Sequence, residues 1–246
     1  MEDSKAPGNT NASANANSKK INKASLAANI GLALLIPALL GYHYLTHPFA
    51  SELAKRSISL SSYSREHRQN FNSALSSLDG AVIKPHSTFS FNNRLGDRTT
   101  ANGYVPAASY YGGQSVASNG GGICLISSTL YQLALLSGME VLERTPHVEK
   151  VASVPPGLDA TVWYGIHDLK LKNPYDYPLE IATSIDSTGN QATIKILGKA
   201  GLTPVKRSIE RREVARDRKT LLVEVYLEDG PKSRLLSRDS YRLRRP

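Results

Sequence analysis

The sequence predicts an α+β fold: an N-terminal membrane helix, then a domain in which a helix bearing Cys124 packs on a mainly antiparallel sheet. Three observations lead there. Residues 24–45 form an apolar run without acidic or basic side chains apart from His43; a helical apolar pattern starts at Cys124 and stops at Gly138; and six short alternating or apolar stretches follow, divided by Pro, Gly or Asn. Helices first and strands after is the order of an α+β protein rather than of a doubly wound parallel sheet.

From the amino end, residues 1–23 are rich in Asn, Ser and Ala and have little to bury, which predicts a disordered cytoplasmic tail. The run "ASLAANIGLALLIPALLGYHYL" is just long enough to cross a hydrocarbon core, which takes about 20 residues. Lys19, Lys20 and Lys23 on its amino side orient that end to the cytoplasm, so a single-pass anchor at 24–45 places the rest of the chain outside. A cleaved signal peptide is the rival reading, for which "THPFASEL" is a weak small-x-small cleavage site. Both readings export the remainder.

Residues 46–65, rich in Ser, read as a linker. In "SREHRQNFNSALSSLDG" the residues Phe71, Leu75 and Leu78 recur at helical spacing up to Gly80. "AVIKPHSTFSFN" alternates around Phe89 and Phe91 as a strand or extended arm. The Gly-, Asn- and Ser-rich stretch from Leu95 to Gly122 reads as a long loop or loose hairpin carrying Tyr104, Tyr110 and Tyr111. Irregular segments of that length in compact domains are more often functional than idle. After the Cys124 helix, "MEVLERT", "VEKVASV", "DATVWYG", "DLKLKNP", "LEIATSID" and "ATIKILG" read as strands. Beyond residue 200, "TLLVEVYLEDGPKSRLLSRDSYRL" reads as a strand pair about the Asp229–Gly230 turn. That segment, 201–246, is basic: Lys206–Pro246 holds 13 Lys or Arg against 7 Asp or Glu, most of the net charge of +9. Outside a cell, anionic wall polymers or lipid head groups are its natural partners rather than nucleic acid.

The single cysteine excludes an internal disulfide, and an unpaired cysteine in an exported chain is an intermolecular link or a reactive thiol. No second Cys lies nearby and neither His147 nor His167 has ligand-like spacing to it, so no structural zinc site is expected. Cys124 follows Gly120, Gly121 and Gly122 and opens a helix, where unpaired N–H groups and the macrodipole favour a thiolate. A cysteine in that place, followed by a strand region carrying a histidine and a polar partner, is the arrangement of thiol acyl-transfer enzymes. His147, after Pro146, is the preferred base, with His167 and His86 as alternatives; Asp159 and Asp168 are the candidates to orient the imidazole.

Four segments, "FSFNNRLGDRTTANGY", "GGGICLISSTLYQLALLSGMEVLERTPH", "VPPGLDATVWYG" and "DLKLKNPYDYPLEI", occur in the order of the signatures of the VanW domain, which the chain resembles over roughly residues 66 to 200. The resemblance implies an exported bacterial protein of the cell wall. Some members of that family are L,D-transpeptidases, which use a cysteine to pass an acyl group from one peptidoglycan stem peptide to the amine of another and so join third residues. The family cysteine falls on Cys124 and the histidine of its R-x-P-H segment on His147. One departure stands out: where the family commonly has Gln after the cysteine, this chain has Leu125. If that glutamine served the oxyanion, its loss would cost on the order of a few kcal/mol in the transition state.

The sequence thus leads to a membrane-anchored extracytoplasmic cysteine acyltransferase on peptidoglycan stem peptides, with a non-catalytic wall-binding or scaffolding module as the alternative. Cys124, His147, Asp159 and Asp168 are the candidate catalytic residues. Gly120, Gly121, Gly122, Ser127, Tyr104 and Tyr110 are the candidate substrate contacts. No cofactor or metal is expected.

Overall fold

The computed structural model describes residues 48–111 and 114–243, backbone only at 110, 111, 114 and 115. The tail and the membrane helix expected at 1–23 and 24–45 lie outside the described residues, among which no helix is long and apolar enough to cross a membrane. In chain order the elements are β1 (Phe49–Ser59), α1 (Arg65–Leu78), β2 (Ala81–Ile83), β3 (Thr88–Ser90), α2 (Phe91–Leu95), β4 (Pro106–Tyr111), β5 (Gln114–Asn119) and α3 (Cys124–Ser137). Then come β6 (Glu140–Glu143), β7 (Lys170–Lys172), β8 (Leu179–Ile185), β9 (Gln191–Lys199), β10 (Arg207–Arg216), β11 (Thr220–Asp229) and β12 (Lys232–Arg242). All the strand pairs are antiparallel, in sheets of order β1-β9-β8-β2, β3-β7-β6, β4-β5 and β10-β11-β12. The class is α+β, mostly antiparallel sheet with few helices.

Helix α3 is the axis of the core. Leu125, Ile126, Leu130, Leu133, Ala134 and Leu135 are all buried, and so are Ser127, Ser128, Thr129 and Gln132. A helix apolar on every side must be surrounded, and α3 packs against β1, β6, β9 and β10. Gly138, at φ 80, closes it with a left-handed cap. Helix α1 is the ordinary amphipathic case: Phe71, Ala74, Leu75 and Leu78 turn inward, and Ser64 caps its start by accepting from the His67 N–H. Burial of each large side chain is worth about 1.5–3 kcal/mol.

Three expectations are corrected. Part of the expected linker at 46–65 is strand β1, hydrogen-bonded to β9 from Phe49 to Ser59. Its alternation is hard to read because small or polar residues such as Ser51 and Arg56 occupy half-buried positions beside Leu53 and Ile58. The basic tail forms three strands rather than a pair. Strand β10, "RSIERREVAR", is exposed on most of its length and has no apolar alternation to announce it. Finally, "VEKVASV" and "DATVWYG" are not strands but an irregular crossing with isolated bridges at Thr145–Thr161 and Trp163–His167. Val154, Ala160 and Val162 are buried there as a strand's would be. The backbone of Leu158 and Ala160 is satisfied by side chains of α3 in place of a ladder, and the prolines at 155 and 156 have no N–H to contribute to one.

Candidate active site

The side chains that satisfy that crossing also build the site. Ser127 donates to the Ala160 carbonyl at 2.6 Å, Ser128 accepts from the Ala160 N–H at 2.9 Å, and Gln132 donates to the Leu158 carbonyl at 2.9 Å. Three α3 side chains thereby fix residues 158–160, and with them Asp159, beside the helix start. The Thr161 N–H then donates to the Thr145 carbonyl at 2.7 Å, which sets residues 145–147 alongside.

His147 is held at both ends. Its backbone N–H donates to Asp159 Oδ2 at 2.7 Å and its Nδ1 lies 2.6 Å from the same oxygen. An ionised carboxylate can only accept, so Nδ1 carries the proton and Nε2 is left for another partner. The Cys124 side chain lies near enough to act on the ring, and the two residues line one cavity. Burial alone pushes the imidazole down. The hydrogen bond to Asp159 and the nearby Cys124 outweigh it and hold His147 at about 9. Cys124 Sγ also lies 3.8 Å from the Val162 carbonyl oxygen.

Asp159 is 1% exposed and every approach to it is occupied by a donor. Besides His147, Arg144 reaches Oδ1 at 3.0 Å and Tyr241 donates to Oδ1 at 2.6 Å. Burial pushes this carboxyl up; the His147 hydrogen bond and the Arg144 charge win and hold it below its usual range. Arg144 is itself buried, bonding also to the Asp159 carbonyl at 2.6 Å and to Asp239 Oδ2 at 2.6 Å, with its guanidinium 5.2 Å from the Tyr131 ring centre. Burial and the neighbouring Asp159 push the Tyr241 phenol up, so it stays a donor. It also accepts from the Gly157 N–H at 2.6 Å. Strand β12 therefore places Asp239 and Tyr241 behind the Cys–His–Asp row.

The glycine turn before Cys124 has two separate jobs. Gly120 and Gly122 take positive φ of 75° and 91°, where L side chains are strained. Gly121 lies under β4, and a Cβ there would stand 2.2 Å from the Ala107 carbonyl oxygen. Asn70, fully buried on α1, ties the turn down by donating to the Gly121 carbonyl at 3.1 Å and to the Val105 carbonyl at 3.0 Å. Because backbone opposes the added atom, Gly121→Ala is expected to cost about 1–3 kcal/mol, read as a lower denaturant midpoint. An unchanged midpoint would mean that the turn is not pressed against β4.

Cys124 and His147 face a cavity of about 670 Å³, also lined by His67, Arg98, Gly120, Gly122, Val162 and Trp163. The N–H groups of Gly121 and Ile123 are taken by the Ser118 and Gly120 carbonyls, whereas those of Gly122 and Cys124 bond to no backbone carbonyl among the described residues. Both donors belong to residues of the cavity wall. No group of three His, Cys, Asp or Glu side chains among the described residues is arranged to hold a metal ion.

Of the residues proposed from sequence, the structure brings together Cys124, His147 and Asp159, with Gly120 and Gly122 in the cavity wall. The others lie elsewhere. Asp168 accepts from Ser90, the Asn92 N–H and the Leu169 N–H, anchoring α2 instead of an imidazole. Ser127 is buried in its bond to Ala160, and Gly121 is under the hairpin. Tyr104 is 1% exposed, in the core, and the Tyr110 side chain is not described. His86 pairs with Asp176 at the surface, and His167 contacts Thr145 at 3.4 Å. Sequence reasoning missed Arg98, Arg144, Asp239 and Tyr241. Asp239 and Tyr241 left one legible signal, a polar and an aromatic residue two apart and so on one face of a strand.

Fold and site together define an α+β protein with a half-buried Cys–His–Asp row at a helix start, open to a peptide-sized cavity. The chain belongs to the VanW-like family, whose model, described as VanW like protein, matches residues 66–197, more than half of the chain. It is similar to the uncharacterized protein YoaR of Bacillus subtilis (strain 168), at 34% identity over 137 residues, 56% of this chain and 45% of that protein. It is also similar to the vancomycin B-type resistance protein VanW of Enterococcus faecalis (strain ATCC 700802 / V583), at 32% identity over 124 residues, 48% of this chain and 44% of that protein. The chain thus matches less than half the length of these curated relatives. No solved structure matches it. The family match ends at Leu197, so the two β12 residues behind Asp159 lie beyond it.

Proposed function

We propose that the chain is a membrane-anchored, extracytoplasmic cysteine acyltransferase that acts on peptidoglycan stem peptides as an L,D-transpeptidase. The observation that carries the reading is the His147 ring, bonded to Asp159 and lining one cavity with Cys124, which acts on it electrostatically. Family membership supports the cell-wall setting, as does the resistance named for the Enterococcus relative. The apolar run at 24–45, with lysines on its amino side, supports the anchor.

The chemistry follows from the row. With the proton on His147 Nε2, the Cys124 thiolate attacks the carbonyl carbon of the stem's third residue, forming a C–S bond. Oxyanion charge falls on the Cys124 and Gly122 N–H groups. Collapse breaks the C–N bond, the imidazolium protonates the departing amine of the fourth residue, and a thioester remains. The amine of a second stem then loses a proton to His147 as it attacks. The C–S bond breaks, the thiolate returns, and the two stems are joined through their third residues. Leu125 does not disable this scheme: it is 7% exposed, packed in the core and absent from the cavity wall, while both oxyanion donors are backbone.

Incubating the full chain with disaccharide-tetrapeptide and separating the products tests the reading. Dimers joined through third residues, absent with Cys124→Ala, are expected. Tripeptide monomers alone would mean that water is the acceptor. Neither product, from a folded chain that still binds wall fragments, would favour a non-catalytic wall-binding module.

A further inference from the structure

The cavity holds one charged side chain that the Cys–His–Asp row does not use. Arg98 follows α2 and lines the same cavity as Cys124 and His147. Its Nη1 donates to the Gly96 carbonyl at 2.6 Å and its Nη2 to Asn92 Oδ1 at 2.7 Å, both neutral acceptors. Among the described residues it makes no ion pair. The nearest acid in sequence, Asp97, is exposed, and it is the only acidic side chain in the cavity wall. Buried or half-buried guanidinium groups are ordinarily matched by a carboxylate; the charges of Asp168 and Asp97 act on this one, but no carboxylate among the described residues pairs with it directly.

The group is also held rigid. Its carbon lies 5.7 Å from the Phe91 ring centre and 5.8 Å from that of Tyr164. Its stem packs on Gly120, where a Cβ would come within 2.8 Å of Arg98 Cγ. Asn92, which orients Nη2, is itself fixed: its amide donates to the His167 carbonyl at 2.8 Å and its backbone N–H to Asp168 at 2.9 Å. With one N–H spent on each terminal nitrogen, Nε and the remaining hydrogens are left for a planar, two-oxygen acceptor. Asp168, set aside as a partner for His147, thus acts two steps behind this arginine.

We propose that Arg98 is a carboxylate-binding subsite of the cavity, which takes the free C-terminal carboxylate of the amino acid that leaves when Cys124 is acylated. Its role in turnover rests on the acyl-transfer reading; the subsite itself does not. In an amino-acid leaving group the carboxyl carbon stands two bonds from the departing nitrogen, so an anion site beside the nucleophile admits donors that end one residue past the scissile bond. Longer or amidated donors lose that contact. The substrate class is therefore a peptide with a free terminal carboxylate, cut one residue from its end.

Two probes separate the subsite from the transfer reaction. Iodoacetate and iodoacetamide both alkylate a thiolate, with the C–S bond forming as iodide leaves, and they differ in carrying a carboxylate or a neutral amide. Modification of Cys124 in the full chain, followed by intact mass, gives the ratio of their rates; the amide rate also reports that each variant is folded and its thiol accessible. Arg98→Gln is expected to lower the acetate-to-amide ratio about tenfold, the effect of roughly one charge-assisted hydrogen bond, with Arg98→Lys in between. A ratio unchanged in Arg98→Gln overturns the subsite, whatever the chain does with stem peptides. The second comparison uses tetrapeptide donors ending in a free acid or an amide. The acid is expected to be preferred by the wild type through KM, and the preference to vanish in Arg98→Gln. A lowered alkylation ratio with no reaction of either donor would keep the subsite and reject the acyl-transfer reading.

Discussion

Asp159→Asn is expected to lower acyl transfer by about 10³- to 10⁴-fold while leaving Cys124 in place. The magnitude follows from what the equivalent change does in a nucleophile–His–Asp triad, where the imidazole loses its correct tautomer and the charge that stabilises its protonated form. Here the loss would be compounded. Asp159 accepts from the His147 ring, the His147 backbone, Arg144 and Tyr241, and an amide in its place turns one acceptor atom into a donor facing donors. The same substitution should move the ring's titration. His147 stands at about 9 with Asp159 and Cys124 beside it, so the wild type's activity should fall as pH rises through about 9 and the ring gives up its proton. In Asp159→Asn that limb should shift toward the ordinary histidine range near 6.5. A variant with an unmoved alkaline limb would show that the carboxylate does not govern the imidazole.

The linkage to stability has a definite sign. A histidine raised from 6.5 to about 9 contributes stability that is complete below about 6.5 and lost as pH rises through about 9. Asp159, held low, contributes stability that is complete above the ordinary carboxylate range and lost as pH falls through its depressed value. Urea midpoints across that range should therefore be lower at both ends than near neutrality, and Asp159→Asn should flatten both slopes.

Arg144→Met should destabilise the fold by about 3–5 kcal/mol, the usual consequence of removing one member of a buried charge cluster. Arg144 stands between two carboxylates, Asp159 and Asp239, at 3.0 and 2.6 Å, and its side chain is 6% exposed. Without it the two acids face each other in the interior, with the His147 ring on Asp159 as the remaining positive partner. Pairing it with Asp239→Asn should recover part of the loss, because one of the stranded charges is then gone. A fall of less than 1 kcal/mol in Arg144→Met would mean that the cluster is open to water and that β12 does not brace the site. If the expected result is found, the basic C-terminal segment is part of the machinery: Asp239 and Tyr241 reach the Asp159 side from beyond the stretch matched by the family.

How far the sequence could be read follows from where its signals are local. The Cys124 helix was legible because three glycines precede it, an apolar run fills it and Gly138 ends it, all within one stretch. Strands β8 and β9 were legible from alternation, with Leu179, Ile181, Ala192, Ile194 and Ile196 all fully buried. His147 and Asp159 were candidates by residue type, but the choice of Asp159 over Asp168 needed the Ser127, Ser128 and Gln132 bonds, which form between segments some thirty residues apart. Those side chains look like ordinary polar residues in a helix. Arg144 and Arg98 are single arginines in polar surroundings, and nothing local marks a guanidinium that the fold will bury. The strand status of β1 and β10 was hidden for the reverse reason: Ser and Arg occupy several of their half-buried positions, so period-two hydrophobicity, the local sign of a strand, is interrupted.

Intact-protein mass spectrometry of the full chain, quenched during reaction with disaccharide-tetrapeptide, reads the Cys124 nucleophile directly. The expected result is an adduct of the donor less its terminal amino acid, mapped to Cys124, released by hydroxylamine and missing from Cys124→Ala. Turnover of donor with no adduct and with Cys124→Ala still active, or the same adduct on Cys124→Ala, would contradict a thioester at Cys124 and dissolve the role assigned to the row behind it.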